Sequence, residues 1–422
     1  MNVTVVVMNG ALRLNDNKAL AKASGFKEPV LPLVIFPESL WKKTWFEYPS
    51  MGPHRQSVLH RAMLSLEQQL NEVGGTLWAS NQSVGASLKH LMVTVNVVRI
   101  IGTHGVGAYE QQMQQEIEQM ANQSSILVEW VWDHTLLHPS QLPFSIDNAP
   151  RSFSKFRKQC EALPIEPPVA VPSIQYSRVQ PPLSVEQVFQ VPAADVASQG
   201  TGGEAAAMAH LTHYIWESKA ILHYKNTRNL SIGPNVSTKC SVWLSTGVLS
   251  PRTIAHEVRL FERKVKRNES TYWVLFELLW RDFFQFQCQR YGMQWYAFGG
   301  LQGLADAPPT YNQYVFESWV NGKTNEPFVN GHMNELRQTG YMSNRGRQVV
   351  ASYLIHDCNQ DWRRGAEVFE HYLVDYDVAS NIGNWMYIAG CGNSATKRIF
   401  NIQNQQKKYD PGNNYVQKWL NC

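Results

Sequence analysis

The chain has 422 residues with 44% hydrophobic content, enough for two or three domains with ordinary cores. A formal net charge of +4 is too small by itself to argue for nucleic-acid binding, and no run of about 18 apolar residues offers a membrane span. The six cysteines (160, 240, 288, 358, 391 and 422) show no CxxC spacing, which argues against a metal or iron–sulfur site and for reduced thiols in a cytoplasmic setting.

The N-terminus, MNVTVVVMNGALRL, lacks a basic leader and reads as a buried strand, not a signal peptide. Val3–Met8, Val30–Phe36, Thr76–Ala79, Val93–Ile101 and Ile126–Trp132 are predicted strands. His54–Val73, with Val58, Leu59, Met63, Leu66 and Leu70 near helical spacing, is a predicted helix ended by Gly74-Gly75. Glu110–Ala121 is a second. Such alternation predicts an α/β, Rossmann-like parallel-sheet domain over residues 1–135. No GxGxxG follows the first strand, so NAD binding is not expected.

Prolines cluster from residue 136 to 203 (Pro164, Pro167-Pro168, Pro172, Pro181-Pro182, Pro192), as in a long extended connector. Beyond Gly202-Gly203 the pattern turns helical, giving an all-α domain over 204–422. Predicted helices cover Glu204–Lys225, Thr271–Arg290, Arg345–His356 and Arg364–Val374. Ser250-Pro251 has the form of an N-cap followed by proline at the first helical position.

Three constellations carry chemistry. Tyr224-Lys-Asn-Thr-Arg-Asn229 and Ser237-Thr238-Lys239-Cys240-Ser241 put hydroxyls and backbone N–H groups where a phosphate could bind, although these residues alone favour plain N-capping. In Trp273–Phe284, Glu277 and Trp280 stand three apart and share a helix face. A carboxylate in so apolar a run needs a partner, either a basic group such as Arg281 or a ligand. In Tyr341–Gln348 and Asp375–Trp385, Asn, Arg, Asp and Trp recur among short apolar stretches, as in a pocket for a large, polar, aromatic ligand.

These motifs resemble the photolyase/cryptochrome family along nearly the whole chain. Tyr-x-x-Thr-Arg-Asn, Thr-x-x-Ser, Gly247 with Ser250-Pro251-Arg252, Glu-Leu-x-Trp-Arg-Asp and Ser343-Asn-Arg-Gly-Arg-Gln348 are all similar to the family's own. His138–Phe144, Phe153–Lys158 and Asn384-Trp385-Met386-Tyr387 resemble the DASH branch, with Tyr387 where other branches carry a second stacking Trp. The resemblance implies a C-terminal helical FAD-binding domain behind an antenna-type α/β domain. It implies that Tyr224, Ser237, Thr238, Lys239, Cys240 and Ser241 meet the FAD phosphates, and that Arg281 helps to hold the cofactor. Arg347 would pair with Asp375 beside the isoalloxazine, and Asp377 would meet the ribose–adenine side. Asn381 would face flavin N5, and Asn344 both flavin and lesion. Glu277, Trp280, Arg345 and Tyr387 would contact the damaged strand, and Trp385 then Trp362 would donate electrons.

The implied activity is blue-light-driven splitting of cyclobutane pyrimidine dimers, chiefly in single-stranded DNA with RNA as a second candidate, by a monomer. The alternative is a non-catalytic photoreceptor that signals through flavin redox state; the missing C-terminal tail weighs against it. Three departures stand out. Asn9-Gly10-Ala11-Leu12-Arg13 replaces the family's Arg-Asn-Asp-Leu-Arg, and Gly105 stands for a folate-binding glutamate, which together argue against methenyltetrahydrofolate bound in the usual way. Pro308-Pro309 stands where an outer tryptophan is expected, so the electron chain should end elsewhere, with Tyr311 or Tyr314 as candidates.

Overall fold

The computed structural model describes residues 1–170, 173–189, 202–304 and 307–420. Part of the predicted connector, including Pro172 and Pro192, lies outside these residues. Strands β1 (Asn2–Val7), β2 (Val30–Ile35), β3 (Trp78–Ser80), β4 (Asn96–Thr103) and β5 (Leu127–Val131) form one parallel sheet in the order β3-β2-β1-β4-β5. Val5 pairs with Leu31 on one side and Ile100 on the other. Strand β2 is buried at every position, so both sheet faces are covered there and it reads as an unbroken apolar run. The strand order reverses between β1 and β4. The segments that leave their C-terminal ends, Asn9–Arg13 and Thr103–Gly107, therefore flank a crevice.

Differences from expectation have local causes. Val93 and Thr94 end a helix, Val84–Thr94, so β4 starts at Asn96. The span 204–225 is not one helix: Glu204–Thr212 runs into a π-turn at His213–Glu217, Lys219 is left-handed (φ 52°), and a short helix follows at Tyr224–Thr227. The chain is thereby bent before the Ser237–Ser241 segment. The aromatic helix spans Glu269–Tyr291, capped by Asn268. Ser250 caps Pro251–Lys264 as predicted, its side chain accepting from the Arg252 N–H.

A buried ionic cluster joins the sheet domain to the helices. Arg252 Nη2 donates to Asp16 Oδ1 at 2.9 Å and to Asp133 Oδ1 at 2.6 Å. Arg13 Nη2 donates to Asp133 Oδ2 at 2.6 Å, and Arg13 Nη1 to the Gly247 carbonyl at 2.8 Å. All four side chains are at most 3% exposed. Gly247 has φ 71°, and a Cβ there would run into the Gly10 carbonyl, so the two backbones meet where no side chain fits. Asp282 adds a second clasp, accepting the backbone N–H groups of Leu136 (2.9 Å) and Leu137 (2.8 Å).

Asp133→Ala leaves two guanidiniums buried without their shared carboxylate. We expect a loss of about 3–5 kcal/mol in urea unfolding. A loss under about 0.5 kcal/mol, typical of surface sites, would contradict the assignment.

Candidate active site

Four stretches of chain enclose a cavity of about 310 Å³. The first is Ser237–Ser241, which leads into the helix Ser241–Thr246. Lys239 is held left-handed (φ 50°), so the chain turns sharply there. Ser237, Thr238, Lys239, Cys240 and Ser241 all line the cavity, with buried Tyr224 beside them. Burial pushes the Lys239 ammonium below its ordinary pKa, opposed by Glu335. Hydroxyls and one partly desolvated cation suit an anionic ligand.

The second wall is the helix Glu269–Tyr291, from which Glu277, Trp280 and Arg281 line the cavity. The partner of Glu277 is Arg228, at 2.6 Å, and not Arg281. Burial raises the Glu277 pKa and Arg228 opposes the rise. Arg281 instead donates to the His134 carbonyl and lies 3.9 Å from Asp377. Phe153 stacks on Trp280 with centroids 3.7 Å apart and planes at 13°, which fixes the indole.

The third wall is the helix Asn344–Ser352, with Asn344 and Arg347. Arg347 Nη2 reaches both oxygens of Asp375, at 3.0 and 2.8 Å, while Arg347 Nε donates to the Met342 carbonyl. The fourth is Asp375–Asp377 and the helix Val378–Ala389. Asp377 caps that helix through Ser380 N–H (2.7 Å) and accepts from Gln285 Nε2 (2.6 Å). Asn381 spends its amide N–H on the Ala366 carbonyl (3.0 Å), which leaves its carbonyl oxygen for the cavity. Trp385 is 2% exposed. A Cβ on Gly365 would strike its ring, so glycine lets the helix Trp362–Tyr372 lie flat against it.

Three of the expected residues lie outside this lining. Trp362 is buried behind it, its indole N–H on the Phe298 carbonyl at 3.0 Å. Arg345 lies over the rings of Phe400 (5.4 Å) and Tyr409 (5.0 Å). Tyr387 stands edge-on to Trp280 at 6.5 Å, under Arg398. Arg228 and Phe153 were in quoted motifs, but no local pattern pointed to their partners. Gln285 gave no signal beyond a polar residue in an apolar helix.

A second cavity, about 210 Å³, fills the crevice at the strand-order reversal and shares Arg281, Tyr376 and Asp377 with the first. A Cβ at Gly105 or Gly107 would collide with Glu110, whose side chain fills that space. Position 105 therefore has no room for a glutamate, and the residues present do not fit methenyltetrahydrofolate held in the family's usual way. Among the described residues, no cluster of three or more His, Cys, Asp or Glu could hold a metal, and no helix is long and apolar enough to cross a membrane.

Residues 4–173 match the family model described as DNA photolyase, and residues 273–422 the one described as the FAD binding domain of DNA photolyase. Cryptochrome DASH of Danio rerio is 36% identical, over 99% of this chain and 82% of its own length. Cryptochrome DASH of Natronomonas pharaonis is 36% identical, over 100% and 90%. A crystal structure of a Synechocystis cryptochrome superposes with TM-score 0.94 at 35% identity, over 100% of this chain and 89% of that one. A class III photolyase from Agrobacterium tumefaciens shares the fold (TM-score 0.85, 24% identity, 100% and 87% covered).

Behind Lys239, Glu335 accepts a hydrogen bond from the Tyr415 hydroxyl, and burial raises its pKa from 4.5 to about 7. The folded protein thus binds a proton that the unfolded chain has released. Glu335 should therefore cost stability as pH rises from 4.5 to about 7. Glu335→Gln should flatten that slope in urea unfolding; an unchanged slope would contradict the burial argument.

Proposed function

This chain belongs to the DASH branch of the photolyase/cryptochrome family, and from that premise we propose that it repairs cyclobutane pyrimidine dimers under blue light, chiefly in single strands. One observation carries the reading: Glu277, Trp280 and Asn344 line the same cavity as Ser237–Ser241 and the Arg347–Asp375 pair. Lesion contacts and cofactor contacts thereby share one enclosure. Reduced FAD, when bound, supplies a photoexcited electron that splits the dimer and then returns.

The protein's own residues do the rest. The hydroxyls of Ser237, Thr238 and Ser241 with Lys239 hold the pyrophosphate. Arg347, fixed by Asp375, would lie beside the ring system, and the Asn381 oxygen would accept a hydrogen bond from an N–H there. Glu277, held by Arg228, takes a hydrogen bond from the flipped dimer. Trp280, backed by Phe153, gives the dimer a fixed face to stack on.

Around the mouth, Lys225 lies over Trp273, Arg345 over Tyr409 and Arg398 over Tyr387. Alternating cations and rings hold phosphates and stack bases without sequence preference. Taking an unpaired dimer out of a single strand costs less than taking it from a duplex. Tyr387 offers less stacking area than a tryptophan, consistent with that preference; RNA is the second candidate strand.

Under blue light with a thiol reductant, we expect thymine-dimer loss from a single-stranded oligonucleotide above the dark control. Glu277→Ala should keep its yellow flavin and lose about tenfold in repair, the value of one charged hydrogen bond near 1.5 kcal/mol. A flavin-loaded wild type with no dimer loss would sink the repair reading and favour a photoreceptor.

A further inference from the structure

We propose that the helix Phe153–Cys160 is a binding subsite for the single strand that flanks the dimer, with Lys155 and Lys158 on its phosphates. The inference rests on the functional reading above, because it needs a damaged strand at the cavity mouth.

Positive charge is concentrated here. Residues 151–161 carry four cations, Arg151, Lys155, Arg157 and Lys158, against one carboxylate, Glu161. That is a local charge of +3 in a chain whose total is +4. The segment is amphipathic. Phe153, Phe156 and Cys160 are buried, and Phe156 packs on Phe283 (5.5 Å) and Phe286 (6.0 Å). Lys155 and Lys158 are exposed on the opposite face, three positions apart and so neighbours along the helix. Among the described residues neither has a carboxylate partner. Glu161 is already taken, by Arg157 at 3.5 Å and by the Tyr272 hydroxyl at 2.7 Å.

The helix is fastened to the lesion wall. It runs antiparallel along Glu269–Tyr291: Arg151 Nε donates to the Tyr291 hydroxyl at 2.9 Å near one end, and the Tyr272 hydroxyl donates to Glu161 near the other. Between these ends Phe153 stacks on Trp280, which lines the cavity, and meets Phe276 edge-on at 5.2 Å. Lys155 follows Phe153 by two positions, so the charged face begins beside the ring that backs the lesion wall. Arg157 lies 5.6 Å over Phe276, Phe276 stacks on Trp273 at 4.5 Å, and Lys225 lies over Trp273. The two rings thereby join this helix to the cations already placed around the mouth.

These features suit a phosphate backbone. Ammonium groups on flexible stems, free of carboxylates and set in a row, neutralise successive phosphates without reading sequence. The dimer itself occupies the cavity, so only nucleotides beyond it meet this face. An unpaired strand bends easily from the cavity onto the helix, whereas a duplex is stiff over such a distance.

The test uses the full chain with FAD bound. Fluorescence anisotropy over a salt series measures binding of a single-stranded oligonucleotide with flanks on both sides of one thymine dimer. Repair of the isolated thymine-dimer dinucleotide under blue light is followed in parallel. Lys155→Glu with Lys158→Glu should bind the flanked strand about tenfold more weakly, as for two exposed ionic contacts. The slope of log Kd against log salt should fall by about 1.4, two phosphates at about 0.7 each. Dinucleotide repair should be unchanged. The same charge change at Lys27→Glu with Lys89→Glu, both exposed on the sheet domain, should leave the slope as in the wild type. Wild-type affinity and slope in the Lys155→Glu, Lys158→Glu protein overturn the subsite. So does an equal loss in the Lys27→Glu, Lys89→Glu protein, or a matching loss of dinucleotide repair. Each of these results leaves dimer loss in the wild type, and so the functional reading, intact. A wild type that repairs neither ligand refutes the functional reading, and the subsite with it.

Discussion

The molecule depends on one buried ionic cluster. Arg13, Asp16, Asp133 and Arg252 come from distant parts of the sequence, Asp133 and Arg252 being 119 positions apart. Removing four charges from water is costly, and the cost is met only where each is paired and hydrogen-bonded. Here both oxygens of Asp133 are taken, by Arg13 and Arg252, and the guanidiniums also donate to the carbonyls of Gly247, Asp16 and Asp133. Arg252 starts the helix Pro251–Lys264, and Gly247 ends the short helix that begins at Ser241. The cluster thus fixes the Ser237–Ser241 end of the cavity against the sheet domain.

A second consequence is that the two cavities share a wall. Arg281, Tyr376 and Asp377 face both. On the sheet side, Glu110 and Glu370 are partly buried near Arg55, and desolvation raises both carboxyl pKa values, that of Glu370 to about 7. In the crevice at the strand-order reversal, Glu110 fills the space that a side chain at 105 would need.

Much of this was legible in the sequence, and the failures have physical causes. The inner strands β1 and β2 could be read because they are mostly apolar and buried on both faces. The Asn17-capped helix Lys18–Ala23 is only six residues long, too short to show a period. The bend at Lys219 left no trace, since no glycine or proline marks it. In the site, Glu277 and Trp280 could be placed on one face by spacing alone, but Arg228 as the partner could not, because the pairing is made by tertiary packing. The pairing of Arg347 with Asp375 came from family resemblance, and the geometry agrees with it. The ring contacts of Trp385 with Trp319 and Phe369 could not be read in advance, because tertiary packing makes them.

The central claim is that damaged nucleic acid and flavin occupy one enclosure. It is tested most directly by the absorption spectrum of the bound flavin on titration, in the dark, with a single strand carrying one thymine dimer. A dimer seated between Glu277, Trp280 and Asn344 changes the field at the ring system, so the flavin bands should shift with the damaged strand and not with the undamaged one. A damaged strand that binds without moving those bands would contradict the account.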